Sequence, residues 1–377
     1  MDYQALKDEN SRQLREDYRE RRTVFQAMPE IISLNHSNIC DLRCTICWHH
    51  EEVPPVRLGV PQVESIAHQL FPTAQKVILT AAGEPTINDF EEIITLAREY
   101  STKVDMFTAA LNMTEERYRL VKPVLDVFHV SMDTSRKELY ELVRARSNYD
   151  RVVENLKMMR RINQEEGKRH IWIMNGAILK DTVPYLAEFV AFAHEMGADM
   201  LQLQKLFFTH EALREQDIFT RMPKEELDGY MRAAQEEARK RNFTLILHEL
   251  TYENVYSDPP VRSEDPPLMH EAMCWFAVQQ IGIQPTGEVY PCCYPTTMNM
   301  GHIEDTPLRE IWNGAGYRKL RHELFTKDYN YFCKNCMLIT REVQDDKAFD
   351  FYGRQTRMKA AFYKNKIKRK LFQIVNG

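Results

Sequence analysis

Eight cysteines fall into two groups, Cys40, Cys44 and Cys47 near the amino end and Cys274, Cys292, Cys293, Cys333 and Cys336 far from it. The first group reads NICDLRCTICWHH, a C-x3-C-x2-C spacing. At the cysteine frequency of this chain, chance produces such a triplet roughly 0.004 times. In a reducing compartment, clustered thiols hold metal rather than form disulfides. Structural zinc takes four ligands in a tetrahedron, usually from paired knuckles, so His49 or His50 would have to complete the set. A cubic iron–sulfur cluster held by three thiolates keeps one iron without a protein ligand, open to a small chelating molecule.

In the second group, Cys274 is followed by twelve residues, Gly287, four residues and Cys292; Cys333 and Cys336 form a later C-x2-C. Between them IGIQPTGEVYPCC reads as a β-hairpin turning at residues 285–287. A hairpin end and a knuckle bring four thiolates together, enough to saturate a cluster or a zinc ion. Cys293 is a fifth candidate.

The elements that must carry these groups follow from periodicity. Short runs rich in Val, Ile, Phe and Met at residues 30–37, 75–81, 102–109, 127–133, 170–178 and 199–206 read as strands, each followed by helical sequence. The clearest helix starts after Asn148 and stops at Gly167, with Val152, Leu156 and Met159 on one face. Another spans residues 183–195 with Pro184 in its first turn and Gly197 behind it; residues 224–241 form a third, and 244–250 a further strand. Six strand–helix units predict an α/β fold, a partial (β/α)6 barrel on a parallel sheet, with chemistry at the carboxyl ends of the strands. The first cysteine group falls just after the first strand, at that end. The expected organisation is a charged, mostly exposed helix over residues 1–29, the barrel over 30–250, a proline-rich linker over 251–268, a small cluster domain over 269–345, and a basic amphipathic tail over 346–377.

Composition excludes several classes. Hydrophobic residues make up 44% and charged residues 28%, which rules out disorder and fibrous folds. A net charge of −5 gives no electrostatic case for nucleic acid. There is no apolar run long enough to span a bilayer and no apolar signal core at the amino end, which predicts a cytoplasmic location.

Cys40, Cys44 and Cys47 after the first strand of a βα repeat resemble the radical S-adenosylmethionine superfamily. The resemblance covers about residues 30–345. It implies a 4Fe–4S cluster whose open iron binds S-adenosylmethionine, and reductive cleavage to a 5′-deoxyadenosyl radical that abstracts a substrate hydrogen. It also implies cofactor contacts. Ala82, Gly83, Glu84 and Pro85 (TAAGEP) resemble the family's GGEP-type motif at the methionine amino group, with Ala82 a departure at its first glycine. Asn112 follows strand three. Ser131, Asp133 and Arg144 (VSMDTSRKELYELVRA) resemble the S-x-D and Y-x-x-x-R elements at the methionine carboxylate. Asn175 and residues 176–178 stand where the family packs adenine and ribose. Read without the resemblance, Gly83 and Pro85 make a turn, Ser131 and Asp133 cap a helix, and Arg144 is a solvated charge. The spacing of the second group resembles the SPASM/Twitch auxiliary-cluster domains, in the shorter Twitch form with one cluster on Cys274, Cys292, Cys333 and Cys336.

For the reaction, the subgroup resemblance points to oxidation or epimerisation of a small, carbohydrate-like molecule, a sugar or lipid-linked glycan. A peptide-modifying enzyme is the alternative, disfavoured by the short segment ahead of strand one. A non-catalytic iron–sulfur or zinc protein is the reading from another class. Lys205, on strand six with Gln202 and Gln204 and ahead of His210, is the candidate base. A flavodoxin or ferredoxin is the expected electron donor. The basic tail reads first as a solvated helix that ends the domain, and alternatively as a peripheral contact with an anionic membrane or partner.

Overall fold

Seven parallel strands lie side by side in chain order: β1 (Ile31–Leu34), β2 (Lys76–Leu79), β3 (Lys103–Thr108), β4 (Leu125–Ser131), β5 (Ile171–Ile178), β6 (Met200–Lys205) and β7 (Thr244–His248). This is a computed structural model, and it describes residues 1–47, 54–79, 83–206, 208, 210–248, 276–292, 298–330 and 333. Each of the six strands expected from apolar runs is present, as is the seventh. The α/β fold on a largely parallel sheet is the expected one.

Helices connect the strands: α1 (Tyr3–Arg19) precedes β1, and α2 (Val60–Leu70), α3 (Phe90–Glu99), α4 (Glu115–Val121), α5 (Lys137–Val143), α6 (Tyr149–Glu166), α7 (Leu186–Met196) and α8 (Lys224–Lys240) follow in turn. The caps explain their ends. The Asn148 side chain accepts from the Arg151 N–H at 2.9 Å to start α6. At the other end of α7, Gly197 takes φ +89°, a left-handed turn that suits glycine. Helix α1 nonetheless buries two of its charged side chains. Lys7 is 1% exposed, and its ammonium donates to the Phe71 and Ala74 carbonyls at 2.5 and 2.6 Å and to the Thr102 hydroxyl at 3.0 Å. Asp17 accepts from the Gln26 and Ala27 N–H groups at 2.7 and 2.9 Å. These charges are buried because each satisfies backbone groups that α1 covers.

The hairpin expected at residues 285–287 is present as β8 (Gln280–Ile283) and β9 (Glu288–Tyr290), with Gly287 at φ +90° in the turn. Its placement was not legible in the sequence. β8 pairs in parallel with β1, from Ile31 opposite Gln280 to Leu34 opposite Ile283. With β10 (Gly301–His302) it makes one ten-stranded sheet in the order β10-β9-β8-β1-β2-β3-β4-β5-β6-β7. A short helix α9 (Phe276–Gln279), then α10 (Leu308–Trp312) and α11 (Ala315–Thr326), accompany this edge. Trp48, His49, His50, Ala82, Cys274, Cys293, Cys336, the linker at 251–268 and the tail at 346–377 lie outside the described residues. Among the described residues no helix is long and apolar enough to cross a membrane.

Candidate active site

The loop that carries Cys40, Cys44 and Cys47 leaves β1 at the carboxyl edge of the sheet, and four other loops hold it there. The Glu84 N–H, after β2, donates to the Ile39 carbonyl at 2.9 Å. Asn112, after β3, donates to Asp41 at 2.8 Å. At the end of α5, the Val143 and Ala145 carbonyls accept from the Thr45 and Arg43 N–H groups, both at 2.8 Å. His210, after β6, meets the Thr45 carbonyl at 2.9 Å. The backbone between the cysteines is therefore fixed from several sides before any cofactor binds.

The thiols suit a cluster better than a single ion. Among the described residues no three His, Cys, Asp or Glu side chains converge as one ion would need. Thiolates around one zinc stand about 4 Å apart. Here Cys40 and Cys44, and Cys44 and Cys47, lie close enough to feel each other electrostatically. A cube of iron and sulfide takes three such thiolates and keeps one iron open, whereas zinc needs a fourth ligand. Burial pushes the Cys40 thiol up to about 12, although the Leu42 N–H points at its sulfur at 3.4 Å. A buried thiol of that kind becomes a thiolate when a cation replaces its proton.

Gly83 shows why the loop after β2 needs a glycine. A Cβ there would meet the backbone nitrogen of Ile39 at 2.7 Å. Beside it Pro85 is buried, and Glu84, 5% exposed, is fully engaged. One carboxylate oxygen accepts from the Thr86 and Thr108 hydroxyls at 2.7 and 2.6 Å; the other accepts from the Ala109 N–H at 2.9 Å. Burial nonetheless pushes its pKa above the ordinary carboxylate range. In this structure the Glu84 carboxylate ties the end of β2 to the end of β3.

At the end of β4, Ser131 is partly exposed beside Asn175 of β5. Asp133 caps no helix. It accepts from the Ala177 N–H at 2.9 Å and pairs with Arg144 at 2.8 Å. Arg144 is not a solvated charge: its side chain is 11% exposed, and it lies close enough to Cys44 for the two to interact. Gly176 permits this packing, since a Cβ there would meet the Met132 carbonyl oxygen at 2.6 Å. Ser131, Asp133, Arg144 and Asn175 thus stand together at one end of β4 and β5, on the cysteine side. Lys205 ends β6 half-buried, its ammonium 5.8 Å from the centre of the Phe219 ring; Gln204 is exposed and Gln202 half-buried.

Sequence reasoning missed His129 and Phe107. Their rings stack with centroids 3.9 Å apart, and Asn175 meets His129 Nδ1 at 2.8 Å. The available signal was strand parity: His129 shares the inward face of β4 with Ser131.

At the other sheet edge, Cys292 follows β9 half-exposed. Cys333 is 8% exposed, in an apolar cluster with Ala277, Leu320, Leu324 and Tyr329. The Cys333 N–H donates to the Asn330 side chain at 3.0 Å.

Two domain families match this chain. Residues 34–189 match the radical SAM superfamily, and residues 274–337 match SPASM, an iron–sulfur cluster-binding domain. Among solved structures, Streptococcus suis SuiB bound to S-adenosylmethionine is similar at 17% identity and a TM-score of 0.56, over 78% of this chain and 68% of SuiB. SuiB bound to precursor peptide SuiA aligns at 16% identity and 0.59, over 82% and 70%. Native anSMEcpe with bound AdoMet and Cp18Cys peptide aligns at 15% identity and 0.54, over 89% and 99%. At these identities the likeness is one of fold. No curated protein matches in sequence. The chain therefore carries a radical SAM domain followed by a SPASM iron–sulfur cluster-binding domain, which together imply a 4Fe–4S cluster and S-adenosylmethionine as cofactors.

Proposed function

We propose that this protein is a radical SAM enzyme that modifies a peptide. The cluster and S-adenosylmethionine, when bound, supply a hydrogen-abstracting 5′-deoxyadenosyl radical. Cys40, Cys44 and Cys47 would hold the cluster. Gly83, by its close approach to Ile39, and Arg144, beside Cys44, would shape the space for S-adenosylmethionine; Ser131, Asn112 and Asn175 would line it. The apolar floor of Val127, Ile171, Ile173 and Met200 would keep water from the reacting group on that side.

The observation that carries the peptide reading is the open sheet. β7 and β10 are its two edges, so the curve formed by β1–β7 is not zipped shut by backbone pairing among the described residues. A side chain of a long substrate enters such an opening while its backbone stays outside. SuiB and anSMEcpe, which share the fold, have each been crystallised with a peptide. The carbohydrate substrate preferred from sequence has no comparable support. In this reading Cys274, Cys292, Cys333 and Cys336 hold one auxiliary cluster, and a flavodoxin or ferredoxin supplies electrons.

The test uses anaerobically reconstituted protein with dithionite and S-adenosylmethionine. Release of 5′-deoxyadenosine is expected, with none from Cys44→Ala. An extract fraction above about 1 kDa should stimulate release, and proteinase K treatment of that fraction should abolish the stimulation. Stimulation confined to the small-molecule filtrate would replace the peptide reading, and a colourless, zinc-bearing protein would end the radical one.

A further inference from the structure

The inner face of the sheet is layered. Its floor is apolar, with Val127, Ile171, Ile173 and Met200 buried together and Ile246 against them. One step nearer the carboxyl edge stand Phe107, His129, Asn175 and Gln202. All four are partly exposed, whereas Met106, Phe128, Met174 and Leu201 beside them in sequence are buried on the outer face. This middle layer is therefore the wall of a solvent-reached hollow.

His129 is held rigidly in that wall. Its ring lies on Phe107, the planes 9° apart, and Asn175 approaches Nδ1 with its side-chain nitrogen at 2.8 Å. An amide N–H donating to Nδ1 leaves the imidazole proton on Nε2. Burial lowers the ring's basicity to about 4, so it is neutral at ordinary pH. Among the described residues no group bonds Nε2, and the atom is not sealed from solvent. The charges below it are Lys76 clasped by Asp105 at 2.7 Å and Asp126 at 2.8 Å, one cation between two carboxylates. An N–H pointing into a hollow with one excess carboxylate in the buried charge cluster beside its apolar floor suits an uncharged acceptor and disfavours an anionic one. Gln202, opposite Asn175 in the pairing of β5 with β6, adds a carboxamide to the same layer.

We propose that His129 is a substrate-binding residue whose Nε2–H donates to an amide carbonyl of the peptide, with the Gln202 carboxamide as a second hydrogen-bonding partner. The proposal rests on the peptide reading above and names the group that enters the hollow.

The probe is N-acetylglycinamide, measured by saturation-transfer NMR on the reconstituted enzyme with S-adenosylmethionine present. The methyl signal should fall at least fivefold in His129→Phe, which keeps the stack on Phe107, and recover in His129→Gln, which restores an N–H. Iron content and circular dichroism of both variants should match the parent. Acetate and methyl glucoside should give no signal that depends on His129. An equal amide signal in His129→Phe, or an acetate or glucoside signal that disappears in that variant, would overturn the proposal. Failure of the peptide reading shows separately, as stimulation of 5′-deoxyadenosine release by small molecules alone.

Discussion

Gly83 and Ile39 approach so closely that a single methyl group does not fit between them. A Cβ on Gly83 would lie 2.7 Å from the Ile39 nitrogen and closer still to its carbonyl oxygen, and both are backbone atoms. The Glu84 N–H bonds that same carbonyl at 2.9 Å. The loop after β2 is thereby locked to the residue just before Cys40. In Gly83→Ala one backbone must move, and the hydrogen bond goes with it. The expected cost is about 2 kcal/mol or more, since a buried clash and a lost bond combine. The measurement is denaturant unfolding together with iron content, which should fall toward the level of a protein lacking the first cluster. Full iron and unchanged stability would show that the loops separate easily.

Lys76 is 2% exposed between Asp105 and Asp126. Burial alone disfavours its charge, but the two carboxylates outweigh that and hold it protonated. In Lys76→Met two carboxylates remain with no cation between them. Breaking a buried pair in this way costs about 3–5 kcal/mol. Urea unfolding should show that loss, and adding Asp105→Asn should recover part of it. If the double variant is no better than the single one, the pair does not act as a unit.

His170 gives a pH dependence. It is 1% exposed and meets the Tyr118 hydroxyl at 3.1 Å. Burial, then the Lys168 and Lys122 charges, lower its pKa from the ordinary 6.5 to about 3. Below pH 6.5 the unfolded chain binds a proton that the folded chain refuses. Its contribution is thus present above pH 6.5 and lost as pH falls from there toward 3, by up to about 1.4 kcal/mol per unit. Between pH 7 and 5 the parent should lose about 2 kcal/mol more than His170→Phe, measured by urea unfolding at each pH. Parallel pH curves would mean that His170 protonates in the fold.

Cys333 separates the two cysteine groups functionally. It is buried among Ala277 of α9 and Leu320 and Leu324 of α11. The proposed enzyme should bind about eight irons in two cubic clusters. Cys333→Ala should keep roughly half of that iron and still release 5′-deoxyadenosine, but lose product formation on peptide. Loss of all iron would instead mean that the two sites fold together.

Much of this architecture was legible in the residues. The seven parallel strands announced themselves as short apolar runs, and Asn148, Gly167 and Gly197 marked helix ends through local backbone chemistry. The C-x3-C-x2-C spacing named the metal chemistry because three nearby thiols have few other uses. These signals are local, read within a turn or a strand. What tertiary structure alone decided is non-local. The pairing of Ile31 with Gln280 joins segments nearly 250 residues apart, and no sequence period encodes which edge a hairpin will choose. The burial of Lys7 depends on carbonyls at Phe71 and Ala74 that only packing brings within reach. Glu84 stands in a recognisable motif, yet Thr108 and Ala109 of the next unit determine what its carboxylate bonds. His129 looks like any strand histidine until Phe107 and Asn175 close on it from neighbouring strands. Residue type and spacing limit what chemistry is available; distances between strands determine which atoms are left free to perform it.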